Sequence, residues 1–459
     1  MIQYNITKKR LNIQLNKGLN ESTTISIIGL GRLGTPLATI FASCGLKTVG
    51  VDISKDRIKV LKEGRVDLYE KATQGLFERY TKNLIFTEDF ELAILNTNIT
   101  FIIVPTPSEK DGSFSLKYIF QVLQDLGRSI GKKKKTHTIV ITSTMSPKSM
   151  EKIALELEKI TKKKIGKELG LCYSPEFIAL GNVIYNLTHP DVILIGESDK
   201  ESGNLLEEIR MKICKNNPRI IRTNWINAEI SKIALNTYVT MKISFANMIA
   251  RICEQVPGAD ADIVNGIVGS DSRVGMKYLK GGLGFGGPCF PRDNAALATF
   301  ITSLNQNPEM PKSVQSFNSK QVDYLFNHIK KYMLNKDKTV GILGLSYKPE
   351  TDVIEESQGI LLAQKLISDG YKVQVYDPAA MINAKKLIPE VQYAKSTKEC
   401  IEKSNVIVVS TSWNEFIQFD WKNEKSKHHK IIIDCWSCMN KDDFKANNIT
   451  YIRLGSYLK

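Results

Sequence analysis

The chain has 459 residues, 42% of them hydrophobic and 24% charged. That composition excludes a disordered, collagenous or coiled-coil protein. At roughly 100–200 residues per domain the length fits about three domains. The net charge of +15 leaves two readings, a nucleic-acid partner or an anionic small molecule. The lysine runs 132–135 and 162–164 lack interleaved aromatics and read as solvated faces, so no nucleic acid is expected. No apolar run reaches the ~18 residues of a membrane span, so no membrane is expected either. Residues 1–23 are polar and Asn/Lys-rich, a flexible extension without signal-peptide character. Eight cysteines in a long chain without such a signal suggest a reducing compartment and a cytoplasmic protein. Five histidines without metal-ligand spacing predict no metal, and Cys435-x-x-Cys438 lacks the second pair that a zinc ribbon needs.

In chain order, the β-branched run Thr24–Ile28 predicts a strand. Gly29-Leu30-Gly31-Arg32-Leu33-Gly34 is a turn, Thr35–Cys44 a helix, and Lys47–Val51 a second strand closed by Asp52. Further strands are read at Ile99–Val104, Thr138–Thr142 and Val192–Ile195. Strands alternating with helices predict a parallel, doubly wound α/β sheet. Trp225–Gln255 has helical periodicity and no internal Gly or Pro, which predicts one long helix. The segment Gly266–Pro291 is glycine-rich and reads mostly as loop. At Thr339 the strand–turn–helix pattern restarts, with later strands at Lys372–Tyr376, Asn405–Val409 and Lys430–Ile433. The expectation is two α/β units joined by a helical middle, with no obvious internal duplication.

In the first turn, Gly29 suits the tight bend, Gly31 the approach of a pyrophosphate, and Gly34 close packing of helix on strand. Asp52 lies near the ~20-residue offset of a carboxylate that holds the adenosine ribose. It would repel a 2′-phosphate, so NAD is expected over NADP, although Lys55 and Arg57 lie nearby. A structural turn that binds nothing is the competing reading.

The segment 281–293, Gly-Gly-Leu-Gly-Phe-Gly-Gly-Pro-Cys-Phe-Pro-Arg-Asp, is the densest motif. Its glycines would let main chain run close to a ligand. Pro291 suits the first turn of a helix, which puts Cys289 at a helix N-terminus, where the dipole lowers a thiol pKa. The reading is a nucleophile, against inert packing for an ordinary lone cysteine. Asp293, one turn on, could hold a lysine or a water. Lys232 and Asn236 share a helix face with Glu229. They are either a solvated stripe or an ammonium and an amide for an oxyanion.

These motifs, in this order, resemble the UDP-glucose/GDP-mannose dehydrogenase family over nearly the whole chain. The resemblance also rests on Val-Pro-Thr-Pro at 104–107, Ser-Thr at 143–144, Ser-Pro-Glu-Phe at 174–177 and Gly-Leu-Ser-Tyr-Lys-Pro at 344–349. It implies two Rossmann-like domains joined by a long-helix domain, bounded here at 24–208, 209–325 and 326–459. It implies a homodimer through the central helix and a four-electron oxidation of a nucleotide-sugar C6 alcohol to a uronate, with NAD consumed twice. Cofactor contacts are then implied for Gly29, Gly31, Arg32, Leu33, Gly34, Asp52, Lys55, Thr106 and Thr144. Cys289 would carry a thiohemiacetal and then a thioester. Lys232 and Asn236 would stabilise the oxyanion, Asp293 would orient water with Lys232, and Thr144 and Glu176 would position water and exchange protons. The UDP-sugar would meet Glu176, Phe177, Lys232, Asn236, Tyr278, Lys280, Gly286 and Lys348, with Arg273 reaching across from a neighbouring subunit.

Two departures stand out. A second Glu common in UDP-glucose enzymes is Leu180 here. The family pattern Thr-Asp-Asp-x-Arg-Glu-Ser reads Thr351-Asp352-Val353-Ile354-Glu355-Glu356-Ser357, without its arginine. UDP-glucose is the favoured substrate, with UDP-N-acetylhexosamines as the alternative. A non-catalytic NAD- or nucleic-acid-binding protein is a remote third.

Overall fold

The structure, a computed structural model, describes residues 23–70, 72–333, 338–424, 428–445 and 448–457. Except for Thr23, the extension assigned to 1–23 lies outside the described residues. The first sheet contains β1 (Thr24–Ile28), β2 (Lys47–Val51), β3 (Leu84–Thr87), β4 (Ile99–Ile102), β5 (His137–Ile141), β6 (Leu169–Tyr173), β7 (Val192–Glu197) and β8 (Arg219–Thr223). Their order is β3-β2-β1-β4-β5-β6-β7-β8. The strands are Ile- and Val-rich because both faces are covered. Ile25, Ile27 and Phe101 pack with Phe41 on one face, and Ile28, Ile102, Ile139 and Ile141 pack with Leu123 on the other.

Two details depart from expectation. β7 was read as one more parallel strand, but it runs antiparallel to β6, and β8 then pairs parallel to β7. Between β6 and β7 the chain holds only one six-residue helix, Val183–Thr188, so the strand returns in the opposite sense. The boundaries drawn at 208/209 and 325/326 fall inside the helices Lys200–Ile213 and Gln321–Tyr332.

One lysine run is not simply a solvated face. Lys133 Nζ donates to the carbonyls of Ile94 (2.7 Å) and Thr97 and meets His137 Nδ1 at 3.0 Å. His137 Nε2 lies 2.7 Å from Thr100 Oγ1, which lies 2.6 Å from Ser26 Oγ. A polar chain thus crosses the buried sheet from β5 through β4 to β1.

The long helix is Trp225–Cys253, 29 residues capped by Asn224, or about 43 Å at 1.5 Å per residue. Near its start, Glu229 is fully buried and accepts from the backbone N–H groups of Lys148 (2.8 Å) and Met150 (2.7 Å). It therefore binds the orphan donors at the N-terminus of the helix Ser149–Thr161 and does not face the site. Near its end, Glu254 accepts from the Gly455 N–H (2.7 Å) and from Tyr324 Oη. One rod thus fastens both α/β units. The helices Ala261–Ser270 and Phe290–Ser303 pack beside it, and the first of these occupies part of the stretch read as loop.

The second sheet holds β9 (Thr339–Leu343), β10 (Lys372–Tyr376), β11 (Gln392–Tyr393), β12 (Val406–Val409), β13 (Lys430–Asp434) and β14 (Ile449–Arg453), in the order β11-β10-β9-β12-β13-β14. Counted from its own first strand this is 3-2-1-4-5-6, the order of the first six strands of the first sheet. The topology is therefore repeated, although the sequence shows no duplication.

Candidate active site

The site lies at the carboxyl ends of the first sheet's strands, where open α/β sheets bind ligands. At the end of β1, Gly29 has φ +95° and its N–H donates to Val51 O (2.8 Å). A Cβ on Gly29 would stand 2.2 Å from Ile103 O, and one on Gly34 would stand 1.9 Å from Gly29 O. A Cβ on Gly31 would meet nothing within 4 Å. Two glycines are thus required by protein and one faces open space. Asp52 accepts from the N–H groups of Leu30 (2.8 Å) and Ser54 (2.9 Å), which fixes the carboxylate at the end of β2 and leaves lone pairs on each oxygen. An open cradle over a helix N-terminus, beside a fixed carboxylate, fits a dinucleotide. Leu33 caps the helix Gly34–Ser43, and Lys55 is exposed at the start of the next one.

The loops after β4 and β5 are stitched together. Thr106 Oγ1 donates to Thr144 O (2.7 Å), and Ser143 Oγ donates to Val104 O (2.7 Å) and accepts from Val104 N–H (3.0 Å). Arg292, to which the sequence reading gave no role, ties this loop to the thiol helix. It donates to Thr106 O and to Ser108 Oγ (3.0 Å) and lies over the Phe114 ring at 4.9 Å.

Cys289 is the N-cap of the helix Phe290–Ser303, with Pro291 in its first turn. Its position is as expected; its titration is not. The residue is exposed, yet enough protein surrounds the sulfur for burial to push the thiol pKa up. Asp293 pushes the same way, while Lys232 and Arg292 pull it down. The exposure describes the open mouth, and the desolvation describes the walls. Burial and Asp293 thus outweigh the helix dipole, which alone would lower this pKa.

Lys232, Asn236 and Asp293 are all buried. Asn236 Nδ2 donates to Asp293 Oδ2 at 2.5 Å. Burial holds the Asp293 pKa above the ordinary carboxylate range, against the opposing pull of Lys232, Asn236 and Arg292. Lys232 Nζ donates to the backbone O of Glu176 (2.9 Å) and sits 4.9 Å from the centroid of the Phe177 ring. The helix face read from spacing is thus turned toward the thiol, except for Glu229.

Glu176 is arranged differently from the expectation. Both its carboxylate oxygens are taken by Arg210, one at 3.0 Å, in a pair with both side chains buried. Exchanging protons with a reacting group requires that fork to open. What Glu176 presents to Lys232 is its carbonyl. Removing one partner of such a buried pair costs about 3–5 kcal/mol. Arg210 lies 34 residues away on the helix Lys200–Ile213, with no motif to mark it.

On the side where a Cβ would stand, the glycines of 281–287 pack against protein. A Cβ on Gly286 would stand 2.3 Å from Glu356 O, and one on Gly287 2.6 Å from the Tyr347 ring. Gly286, expected at the sugar, is therefore wedged under the second α/β unit. Buried amides replace regular structure in this loop. Asn247 bonds Gly282 N–H (2.8 Å) and Leu283 O (2.9 Å), and Asn318 bonds both N–H and O of Phe285 (2.8 and 2.9 Å).

Of the remaining expected substrate residues, Arg273 is exposed and paired with Asp271 at 2.7 Å. Tyr278 is exposed in a left-handed conformation (φ 65°), edge-on to Phe290. Lys280 is exposed. Lys348 is partly buried, which lowers its pKa against the opposing pull of Glu70 and Glu350. Arg32 makes an unforeseen contact. Its guanidinium forks onto Asp352 of the second unit at 2.6 and 3.1 Å. The two side chains are 40% and 22% exposed, so solvent screening holds such a pair to about 0–1 kcal/mol.

Comparison with known proteins matches three segments of the chain. Models of the UDP-glucose/GDP-mannose dehydrogenase family match as its NAD binding domain at residues 23–213, its central domain at 226–320 and its UDP binding domain at 341–441. The UDP-glucose 6-dehydrogenase AglM of Haloferax volcanii is 34% identical over 89% of this chain and 96% of its own. GDP-mannose 6-dehydrogenase of Pseudomonas aeruginosa is 35% identical over 77% of this chain and 80% of its own. A UDP-glucose dehydrogenase structure from Pyrobaculum islandicum superposes with a TM-score of 0.86 at 29% identity, covering 95% of this chain and 98% of that one.

Proposed function

The chain belongs to the UDP-glucose/GDP-mannose dehydrogenase family, and we propose that it oxidises the C6 alcohol of UDP-glucose to the carboxylate of UDP-glucuronate. NAD supplies the hydride acceptor for both oxidations. Gly29, Gly31, Arg32, Leu33, Gly34, Asp52, Lys55, Thr106 and Thr144 would hold it. Once C6 is an aldehyde, the Cys289 thiolate adds to it, and the tetrahedral thiohemiacetal restores a transferable C–H. Lys232 and Asn236 stabilise the oxyanion of that adduct. Further oxidation leaves a thioester on Cys289, which water cleaves to release the uronate and the thiol. Asp293, hydrogen-bonded to Asn236, orients that water with Lys232. Thr144 lines the approach, and Glu176 steadies Lys232 through its carbonyl. Phe177, Tyr278, Lys280 and Lys348 flank the nucleotide sugar.

The observation that carries this reading is the convergence of Lys232, Asn236 and Asp293 around Cys289, on a helix that Arg292 ties to the loop after β4. A homodimer is part of the proposal. Leu235, Tyr238, Phe245, Met248 and Ile252 leave an exposed apolar stripe along the long helix, continued by Ile263 and Ile267. A partner there brings Arg273 toward the neighbouring site. Among the described residues no helix is long and apolar enough to cross a membrane, and we assign the enzyme to the cytoplasm.

The test is a panel of nucleotide sugars scored by NADH yield. UDP-glucose should give two NADH per sugar, and Cys289→Ser should abolish complete oxidation. Turnover confined to a UDP-N-acetylhexosamine would transfer the assignment to that substrate. Full oxidation by Cys289→Ser would remove the covalent mechanism.

A further inference from the structure

The phosphate turn of the NAD domain carries a guanidinium that a carboxylate of the UDP-binding domain holds. Arg32 follows Gly31, the turn position left open to a ligand, and its fork ends on Asp352. Asp352 is itself fixed, because Asn383 Nδ2 donates to its backbone O (2.9 Å) and to its Oδ2 (3.2 Å). Glu355 and Glu70 also lie within electrostatic range of Arg32. A dianionic pyrophosphate entering this turn approaches three carboxylates and two guanidiniums, Arg32 and Arg57, the latter donating to Leu30 O at 3.3 Å. Arg32 is the one that the second unit holds, so it bears on whether the two domains tolerate the cofactor together. The fork onto Asp352 uses two of five N–H donors and leaves others for phosphate oxygens.

We infer that Arg32 is shared between the cofactor pyrophosphate and Asp352, so that NAD in its turn and the docking of the UDP-binding domain favour one another. Arg32 is then a contact residue for the cofactor and Asp352 a positioning residue acting through it. Linkage makes the coupling reciprocal: UDP tightens NADH by the factor by which NADH tightens UDP.

The inference rests on the cofactor and the uridine nucleotide and not on which sugar is oxidised, so a failed UDP-glucose assay leaves it standing. The experiment titrates the full-length protein with NADH by fluorescence, with and without saturating UDP. Wild type should show tightening of about fivefold, the low end of the usual span of such coupling and what a solvent-screened pair can carry. Asp352→Asn should bring the factor below about twofold, with UDP affinity in the absence of NADH unchanged. Arg32→Gln should lose the coupling and also weaken NADH alone. A merely structural pair would lower the melting temperature and leave the factor intact. That outcome, or no coupling in wild type, overturns the inference.

Discussion

At the scale of single residues, the first turn separates steric duties that look alike in the motif. Gly31→Ala adds a methyl group to open space, so the variant should fold with an unchanged melting temperature. It should bind NADH weaker by roughly tenfold or more, about 1.4 kcal/mol. Gly34→Ala drives a methyl group into the Gly29 carbonyl and should lose stability itself, by about 1–3 kcal/mol. Calorimetry paired with NADH titration distinguishes the two, and equal melting temperatures would contradict the steric assignment. The thiol gives a second prediction. Its pKa is raised by burial and by Asp293 and lowered by Lys232, so thiolate should accumulate as pH rises. Asp293→Asn removes a negative neighbour and should shift alkylation of the Cys289 peptide to lower pH; Lys232→Met should shift it to higher pH. Mass spectrometry of that peptide after timed iodoacetamide labelling reads both shifts, and no shift in either variant removes the proposed electrostatics. The glycine turn was legible in sequence because each of its roles is local. The thiol's titration and the Glu176–Arg210 fork were not, because their partners come from distant segments.

At the scale of elements, the long helix was legible because nothing in Trp225–Gln255 interrupts its periodicity. The helix Ala261–Ser270 was hidden by Gly266 and Gly269. Gly269 lets the following loop pack closely, since a Cβ there would stand 2.5 Å from the flexible Met276 Sδ and 3.1 Å from Met276 Cα. The sense of β7 was not legible, because a β-branched run carries no direction. β5 carries a prediction of its own. Burial pushes the pKa of His137 down to about 3, with Lys133 adding to the shift. The folded pKa lies below the unfolded value of ~6.5. Below that value the unfolded chain takes a proton that the folded one refuses. The contribution of His137 is therefore intact above ~6.5 and is lost on acidification, at about 1.4 kcal/mol per pH unit. Urea midpoints at pH 7 and pH 5 should fall further in wild type than in His137→Gln. Equal drops would mean that the imidazole is not kept neutral.

At the scale of the molecule, the two α/β units share more than strand order. Gly344 (φ 111°) donates its N–H to Tyr376 O as Gly29 does to Val51 O, both at 2.8 Å. Asp377 Oδ2 accepts from Leu345 N–H as Asp52 does from Leu30. The second turn is filled, however. Ser346, in the place of the open Gly31, is buried and its carbonyl accepts from Thr411 Oγ1 (2.7 Å), and Trp413 Nε1 donates to Asp377 Oδ2 at 3.2 Å. The repeat escaped detection because Gly359, which packs on Gly344 as Gly34 does on Gly29, lies fifteen residues from its partner and not five. Assembly offers a test at this scale. If the apolar stripe is the subunit contact, Tyr238→Glu with Ile252→Glu should turn a dimer into a monomer by light scattering and reduce activity, since Arg273 would lose the neighbouring site. A wild-type monomer with full activity would refute the assembly.

Leu283, Val322, Leu325, Phe326, Ile329 and Met333 precede β9 in the chain, yet they belong to the same apolar cluster as Val340, Ile342 and Leu366. A gene fragment stopping before Thr339 would leave that surface bare to water, prone to chaperone capture and precipitation. The part before Thr339 is therefore a poor candidate for separate expression, and recombination that exchanges the last quarter for a foreign module must also rebuild the helix Gln321–Tyr332.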